Sequence, residues 1–338
     1  MRITSKKIRK LYYLVKRVVN RDEFVNPDAT GKLTFGVCLF NRFTVSDKKL
    51  QVMGDEMQAR AIVREVLAHC PQVKRCRIYD IKEAGQVRDD IVFVMWAGYP
   101  FLKRRPGKYL LWLQNAGFGG RMPEFLKEYG HVFSPSKKCC SRFPEVTYLA
   151  MACEDTALFS KREPDERFKS KVCFVGNYND EQRPEATQRD FLMPAAKYDF
   201  ALWGSNWERS GFEQIRKAAR GRLEPADIPA VYSSSEIVLS NHWLVHREEE
   251  MITTRIYEAL SCGSFVISDY FGALDELKEH LEFTNGGKDL ELKLDYYLAR
   301  PDKRQEKIKG AREFILKNHT FANRVKTVCE KIELEFKD

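Results

Sequence analysis

Short apolar runs alternate with stretches of helical period along most of the chain. In the first half, residues 33–40, 76–81, 90–96, 109–114, 131–134 and 147–151 read as strands, and 54–69 and 123–129 as helices with one apolar face. A charged stretch at 161–171, which holds Pro164 and has no apolar period, reads as a linker. A second series follows, with strands at 172–175, 198–203, 237–239 and 265–268, the first two ending in Gly176 and Gly204. Its helices fall around 228–233, 253–261 and 272–280, and more run from 289 to 336. Such alternation means parallel sheets covered on both faces. The expected architecture is α/β, two Rossmann-like lobes at 31–160 and 168–315 facing across a cleft, followed by a helical segment at 316–338. Ligands in such sheets sit at the carboxyl ends of strands, where the glycines are.

The first residues break this rhythm. Ile8, Leu11, Tyr12, Val15, Val18 and Val19 recur at three- and four-residue spacing opposite Arg2, Lys6, Lys7, Arg9, Lys10, Lys16 and Arg17, so residues 1–25 read as a basic amphipathic helix. These seven cations, with no acid before residue 18, supply most of the formal net charge of +9 and leave the body nearly neutral. The helix either packs its stripe on the protein's own core or lies on an anionic membrane. A nucleic-acid partner is not expected, because that would need charge spread over the body with interleaved aromatics.

A chain with 43% hydrophobic and 31% charged residues and no low-complexity tract is not disordered. Its longest purely apolar run, 91–97, is far below the ~20 residues that cross a bilayer, and the apolar core at 11–15 is too short for a signal peptide. The nine cysteines are odd in number, scattered and without zinc-ligand spacing, which fits reduced core thiols in a cytoplasmic protein. No G-x-G-x-x-G follows the first strand of either lobe, which disfavours dinucleotide binding.

The chemistry concentrates in residues 248–269, EEEMITTRIYEALSCGSFVISD. With Thr253 or Thr254 as cap, Ile252, Ile256, Ala259 and Leu260 form the buried face of a helix while Thr254, Arg255 and Glu258 share the other. The free N–H groups of the helix start and the forked Arg255 donor suit a diphosphate. Glu258, a turn further on, suits a ribose hydroxyl pair, and Glu250, just ahead of the helix, a sugar on the diphosphate. A bland alternative is an exposed Arg255–Glu258 ion pair beside a solvated acidic run.

Residues 241–269 resemble the donor-binding segment of GT-B glycosyltransferases of family four and the related spore-maturation-protein-like group. Glu250 and Glu258 stand at that family's glutamate, seven residues, glutamate spacing, Glu258 to Gly263 and Phe265 to Ile267 match its small-residue, glycine and strand sequence, and Arg255 fits the R-x-x-E form of the spore-maturation-like group. The resemblance extends more weakly over about residues 170–330. It implies a phosphate-side turn at Gly176 and Asn177, a loop beside the base at Gly204, a base-contacting segment at Arg222 and Leu223, and a C-terminal helix that packs back on the first lobe. Arg183 is the nearest candidate for the family's phosphate-contacting cation. The first-lobe histidine of many relatives has no evident counterpart here, and His242 and His246 read as surface or capping residues.

The resemblance thus implies a glycosyltransferase using a UDP- or GDP-sugar, retaining by front-face attack, with Glu250 positioning the sugar and Glu250 and Arg255 as the catalytic pair. No Asp-x-Asp stands at a strand end, so catalysis is expected to need no metal or other cofactor. The expected acceptor is a cell-surface glycan or glycolipid precursor at the inner face of the cytoplasmic membrane. Lys103, Arg104, Arg105, Lys108, Lys137, Lys138 and Arg142 are first-lobe charges that are either solvated or meet an anionic acceptor. Other readings are a nucleotide-sugar epimerase of the same fold and a noncatalytic nucleotide-sugar or membrane-binding module.

Overall fold

A computed structural model of the protein describes residues 23–40, 55–99, 107–114, 119–153 and 156–337; the basic segment 1–22 and the loop bearing Lys103, Arg104 and Arg105 lie outside these. The first sheet holds β1 (Glu23–Val25), β2 (Leu33–Cys38), β3 (Val73–Tyr79), β4 (Ile91–Val94), β5 (Lys108–Trp112), β6 (His131–Ser134) and β7 (Thr147–Tyr148), in the order β1-β3-β2-β4-β5-β6-β7. Only β1 runs antiparallel, so residues 23–25, expected to end the basic helix, instead cap a sheet edge. Val37, Val92, Phe93, Leu110 and Leu111 are all buried, because strands covered on both faces must be apolar at every position.

The second sheet holds β8 (Ser170–Val175), β9 (Phe200–Trp203), β10 (Ala219–Gly221), β11 (Ser235–Ser240), β12 (Val266–Ser268) and β13 (Glu282–Phe283). Its strands are parallel in the order β10-β9-β8-β11-β12-β13, which is the Rossmann order with its reversal between β8 and β11. The sequence pattern misses β1, β10 and β13, edge strands of two or three residues that show no periodicity. The expected linker is not a free tether: Phe168 is buried, and the Arg162 and Asp165 amides donate to the Ser233 and Ser234 hydroxyls.

The chain ends by returning to the first lobe. Helix Phe321–Ile332 starts in a capping box between Thr320 and Asn323 and lies along helix Asp55–His69. Phe321 meets Trp112 edge-on at 6.2 Å, Cys329 lies 3.1 Å from Cys70 between sulfurs, and Lys108, far from meeting an acceptor, donates to the Ile332 carbonyl. None of the nine cysteines forms a disulfide and eight are buried, with Cys139 and Cys140 on helix Lys137–Arg142. Among the described residues no helix is long and apolar enough to cross a membrane.

Phe321 is the wedge of this docking. Phe321→Ala should lower unfolding free energy by about 3–5 kcal/mol, read as an earlier urea midpoint; a loss below about 1 kcal/mol would mean the helix is held elsewhere.

Candidate functional site

A cavity of about 270 Å³ opens at the carboxyl ends of the second-lobe strands, with Met57 of the first lobe on its wall. It gathers Gly176, Asn177, Arg183, Gly204, Ser205, Arg222, Leu223, Thr254, Arg255 and Glu258. These are every binding residue expected from the sequence, plus Ser205.

Close backbone approach builds the floor. Gly176 follows β8, where the Arg255 guanidinium donates to the Val175 carbonyl at 2.7 Å, and a side-chain carbon at Gly176 would press into that guanidinium. Gly204, at φ +140°, lies against the Gly176 carbonyl, where any Cβ would clash. Asn177 spends its amide oxygen on the Ser205 N–H at 2.9 Å, tying the two turns together.

Arg183 is buried rather than solvated, with 1% of its surface exposed. It donates to the Asn177 carbonyl at 3.0 Å and the Asn241 carbonyl at 3.1 Å, spanning the point where the strand order reverses. Arg183 and Arg255 both lie over the Phe174 ring, at 5.2 and 5.5 Å. Among the described residues neither has a carboxylate at ion-pair distance, and the Arg183 Nε has no partner. Burial, then the Arg255 charge, pushes the Arg183 guanidinium well below its ordinary value, with Asp269 opposing. Burial lowers Arg255 too, against Tyr232, Glu258 and Asp269. A buried and a partly buried cation, neither in contact with a carboxylate, are costly unless something fills the site.

The third positive element is the start of helix Thr254–Ser261. Thr253 takes the cap position, but its hydroxyl is buried without a partner and caps none of the first N–H groups of the helix. Glu258 is 5% exposed and does not pair directly with Arg255, so the exposed ion-pair alternative does not hold. Burial raises its pKa to about 8, with Arg255 pulling the other way, and it carries a proton at neutral pH.

His242 and His246 are not surface residues. His242 is 1% exposed, with Nδ1 2.8 Å from Asp269, whose carboxylate also receives the His242 backbone N–H. Burial raises Asp269, but the His242 and Arg247 charges outweigh it and hold the carboxyl below its usual range. His246 lines the cavity, stacked on Trp243, and burial with the charges of His242, Arg255 and Arg183 lowers it to about 3, so it is neutral. The sequence signal for this network was an acid directly after a strand, Asp269, facing a histidine two residues past the end of the neighbouring strand.

Glu250 does not line the cavity. It is half-buried in the left-handed region at φ +53°, just past helix Leu244–Glu248. The Glu250 N–H bonds the Arg247 carbonyl and the Met251 N–H the His246 carbonyl, a helix end where glycine is usual. A Cβ at Gly272 would lie 3.7 Å from its carboxylate. Holding a glutamate there costs about 1–2 kcal/mol, strain of the kind that collects at functional sites.

Residues 183–330 match the family model described as glycosyl transferase-like. The chain has a GT-B glycosyltransferase fold. Sucrose-phosphate synthase from Thermosynechococcus elongatus superposes on this GT-B chain with a TM-score of 0.62 at 13% identity, covering 89% of this chain and 98% of the synthase. AviGT4, a glycosyltransferase involved in avilamycin A biosynthesis, gives 0.61 at 12% identity over 89% and 97% of the two chains. HepE from Anabaena, solved with UDP-glucose, gives 0.60 at 11% identity over 89% and 100%. No curated protein matches the chain.

Gly176→Ala should leave the GT-B chain folded but displace the Arg255 guanidinium from the Val175 carbonyl, lowering unfolding free energy by about 1–3 kcal/mol, the loss of one charge-assisted bond; an unchanged urea midpoint would mean that the guanidinium is not held there. Glu258 gives a pH signature. Its folded pKa of about 8 exceeds the ordinary 4.5, so the folded state holds the extra proton between these values. The stability this contributes is present below about 4.5 and is lost as pH rises through about 8. The melting temperature of the wild type should therefore fall more steeply from pH 5 to 8.5 than that of Glu258→Gln; parallel curves would mean Glu258 is already ionised.

Proposed function

We propose that this GT-B glycosyltransferase moves a sugar from a nucleoside-diphosphate donor to a glycan or glycolipid precursor of the cell surface, retaining anomeric configuration and needing no metal. The observation that carries the reading is the convergence of Arg183, Arg255 and the start of helix Thr254–Ser261 on one cavity, where among the described residues neither guanidinium has a carboxylate at ion-pair distance. That is the charge a departing diphosphate brings. UDP is the favoured nucleotide over GDP, supported by the HepE structures with UDP and with UDP-glucose.

In this reading the base lies against Arg222 and Leu223, and neutral Glu258 can both donate to and accept from the ribose hydroxyls. The diphosphate rests on the turns at Gly176, Asn177 and Gly204, the Thr254 end of the helix and the two guanidiniums. Cleaving the anomeric carbon–oxygen bond builds negative charge on that diphosphate, and preorganised donors in a desolvated cavity stabilise it by a few kcal/mol each. Fixed protein cations would thus do the work a metal does in other glycosyl transfers. Glu250 is assigned to orient the sugar without forming a bond to it; resemblance to family four supports this role and front-face retention. The return of helix Phe321–Ile332 to the first lobe supports closure of the lobes to exclude water. The basic segment 1–22 would place the enzyme at the cytoplasmic membrane face.

Glu250→Gln should bind UDP within about two-fold of wild type yet turn over UDP-glucose at least about a hundred-fold more slowly, the pattern of an interaction used in the transition state alone. EDTA should change neither rate. A folded wild-type protein whose melting temperature responds to neither UDP nor GDP would sink the proposal.

A further inference from the structure

Glu250 is held in its strained conformation by a helix end whose last anchor belongs to the other lobe. The residue before it, Glu249, is gripped from the first lobe through both backbone and side chain. The Ser136 hydroxyl donates to the Glu249 carbonyl at 2.8 Å, sharing its proton with the Glu249 carboxylate at 2.7 Å. The Lys138 N–H reaches the same carbonyl at 3.5 Å. Arg142 Nη2 donates to both Glu249 carboxylate oxygens, at 2.6 and 2.7 Å. One short first-lobe helix, Lys137–Arg142, supplies all of this. Ser136 is its cap, accepting the Cys139 N–H at 2.8 Å, and Arg142 its last residue.

We propose that Ser136 and Arg142 are positioning residues for Glu250, so that the sugar-orienting carboxylate is set only when the lobes are closed. This rests on the reading of Glu250 given above. The geometry favours positioning over simple glue. Arg142 is half exposed, and such an ion pair adds little to global stability. The bonds end on the backbone one residue from a left-handed glutamate, and Thr253 and Arg255 of the cavity follow within six residues of Glu249. Moving the lobes apart pulls the Glu249 carbonyl from Ser136 and frees the Glu250 backbone to relax from φ +53°. Donor sites on the second lobe stay intact while Glu250 swings away, which would tie chemistry, rather than donor capture, to closure. Among charges expected to meet an acceptor, Arg142 therefore has a different duty.

The test uses the full chain, with UDP and UDP-glucose as probes. In Arg142→Gln and in Ser136→Ala, amide hydrogen exchange in peptides covering residues 244–253 should rise while exchange in the sheets stays constant. UDP affinity should stay within about two-fold, kcat for UDP-glucose turnover should fall about ten- to a hundred-fold, and Arg142→Lys should recover part of it. In a Glu250→Gln background, Arg142→Gln should cost little more, because both changes remove one function. Unaltered exchange at 244–253, wild-type kcat in Arg142→Gln, or a full additive loss in the double variant overturns the positioning role while leaving the donor site standing. Wild-type protein that binds neither probe overturns the reading of Glu250 and this role with it.

Discussion

The molecule is organised around two guanidiniums, Arg183 buried and Arg255 partly buried, neither of which has a carboxylate at ion-pair distance among the described residues. Arg183 bonds a carbonyl on each side of the strand reversal in the second sheet, and Arg255 bonds the carbonyl that ends β8. Each donates to backbone carbonyls, with the Arg183 Nε left without a partner, and among the described residues neither meets a carboxylate at ion-pair distance. A desolvated cation held only by carbonyl dipoles and an aromatic face is a standing demand for a ligand of opposite sign. Much around it follows: glycines at 176 and 204 because the backbones must approach closely, Glu258 kept neutral by burial, and His246 kept neutral first by burial and then by the neighbouring positive charges.

Asp269 is the acid that could have cancelled this charge, and it is engaged elsewhere. It takes His242 at its ring and backbone, with Asn241 and Arg247 nearby, and so fixes the loop after β11 instead of pairing with Arg183. The polarity of the site is thereby preserved. The same arrangement sets the stage for the loop that carries Glu249 and Glu250, where one lobe supplies the strained glutamate and the other the contacts beside it.

The repeated strand and helix rhythm, the glycines after β8 and β9 and the cap before Arg255 were legible in the chain itself, because each is a local property: a period, a turn or a helix start. The cavity residues Gly176, Asn177, Gly204, Arg222, Leu223, Thr254, Arg255 and Glu258 were legible for the same reason, since strand ends in a parallel sheet converge whatever the side chains are. The edge strands β1, β10 and β13 were not, being too short to carry a pattern.

Other features had no local signature. That Arg183 is buried, that His242 turns inward to Asp269, and that Glu249 faces the first lobe while Glu250 takes a left-handed backbone depend on contacts between residues 27 to 113 positions apart. Sequence sets which groups are available and which local conformations are cheap. Which charges lose their water, and which partner each buried donor finds, is decided when distant segments pack, because desolvation and hydrogen bonding act through space rather than along the chain.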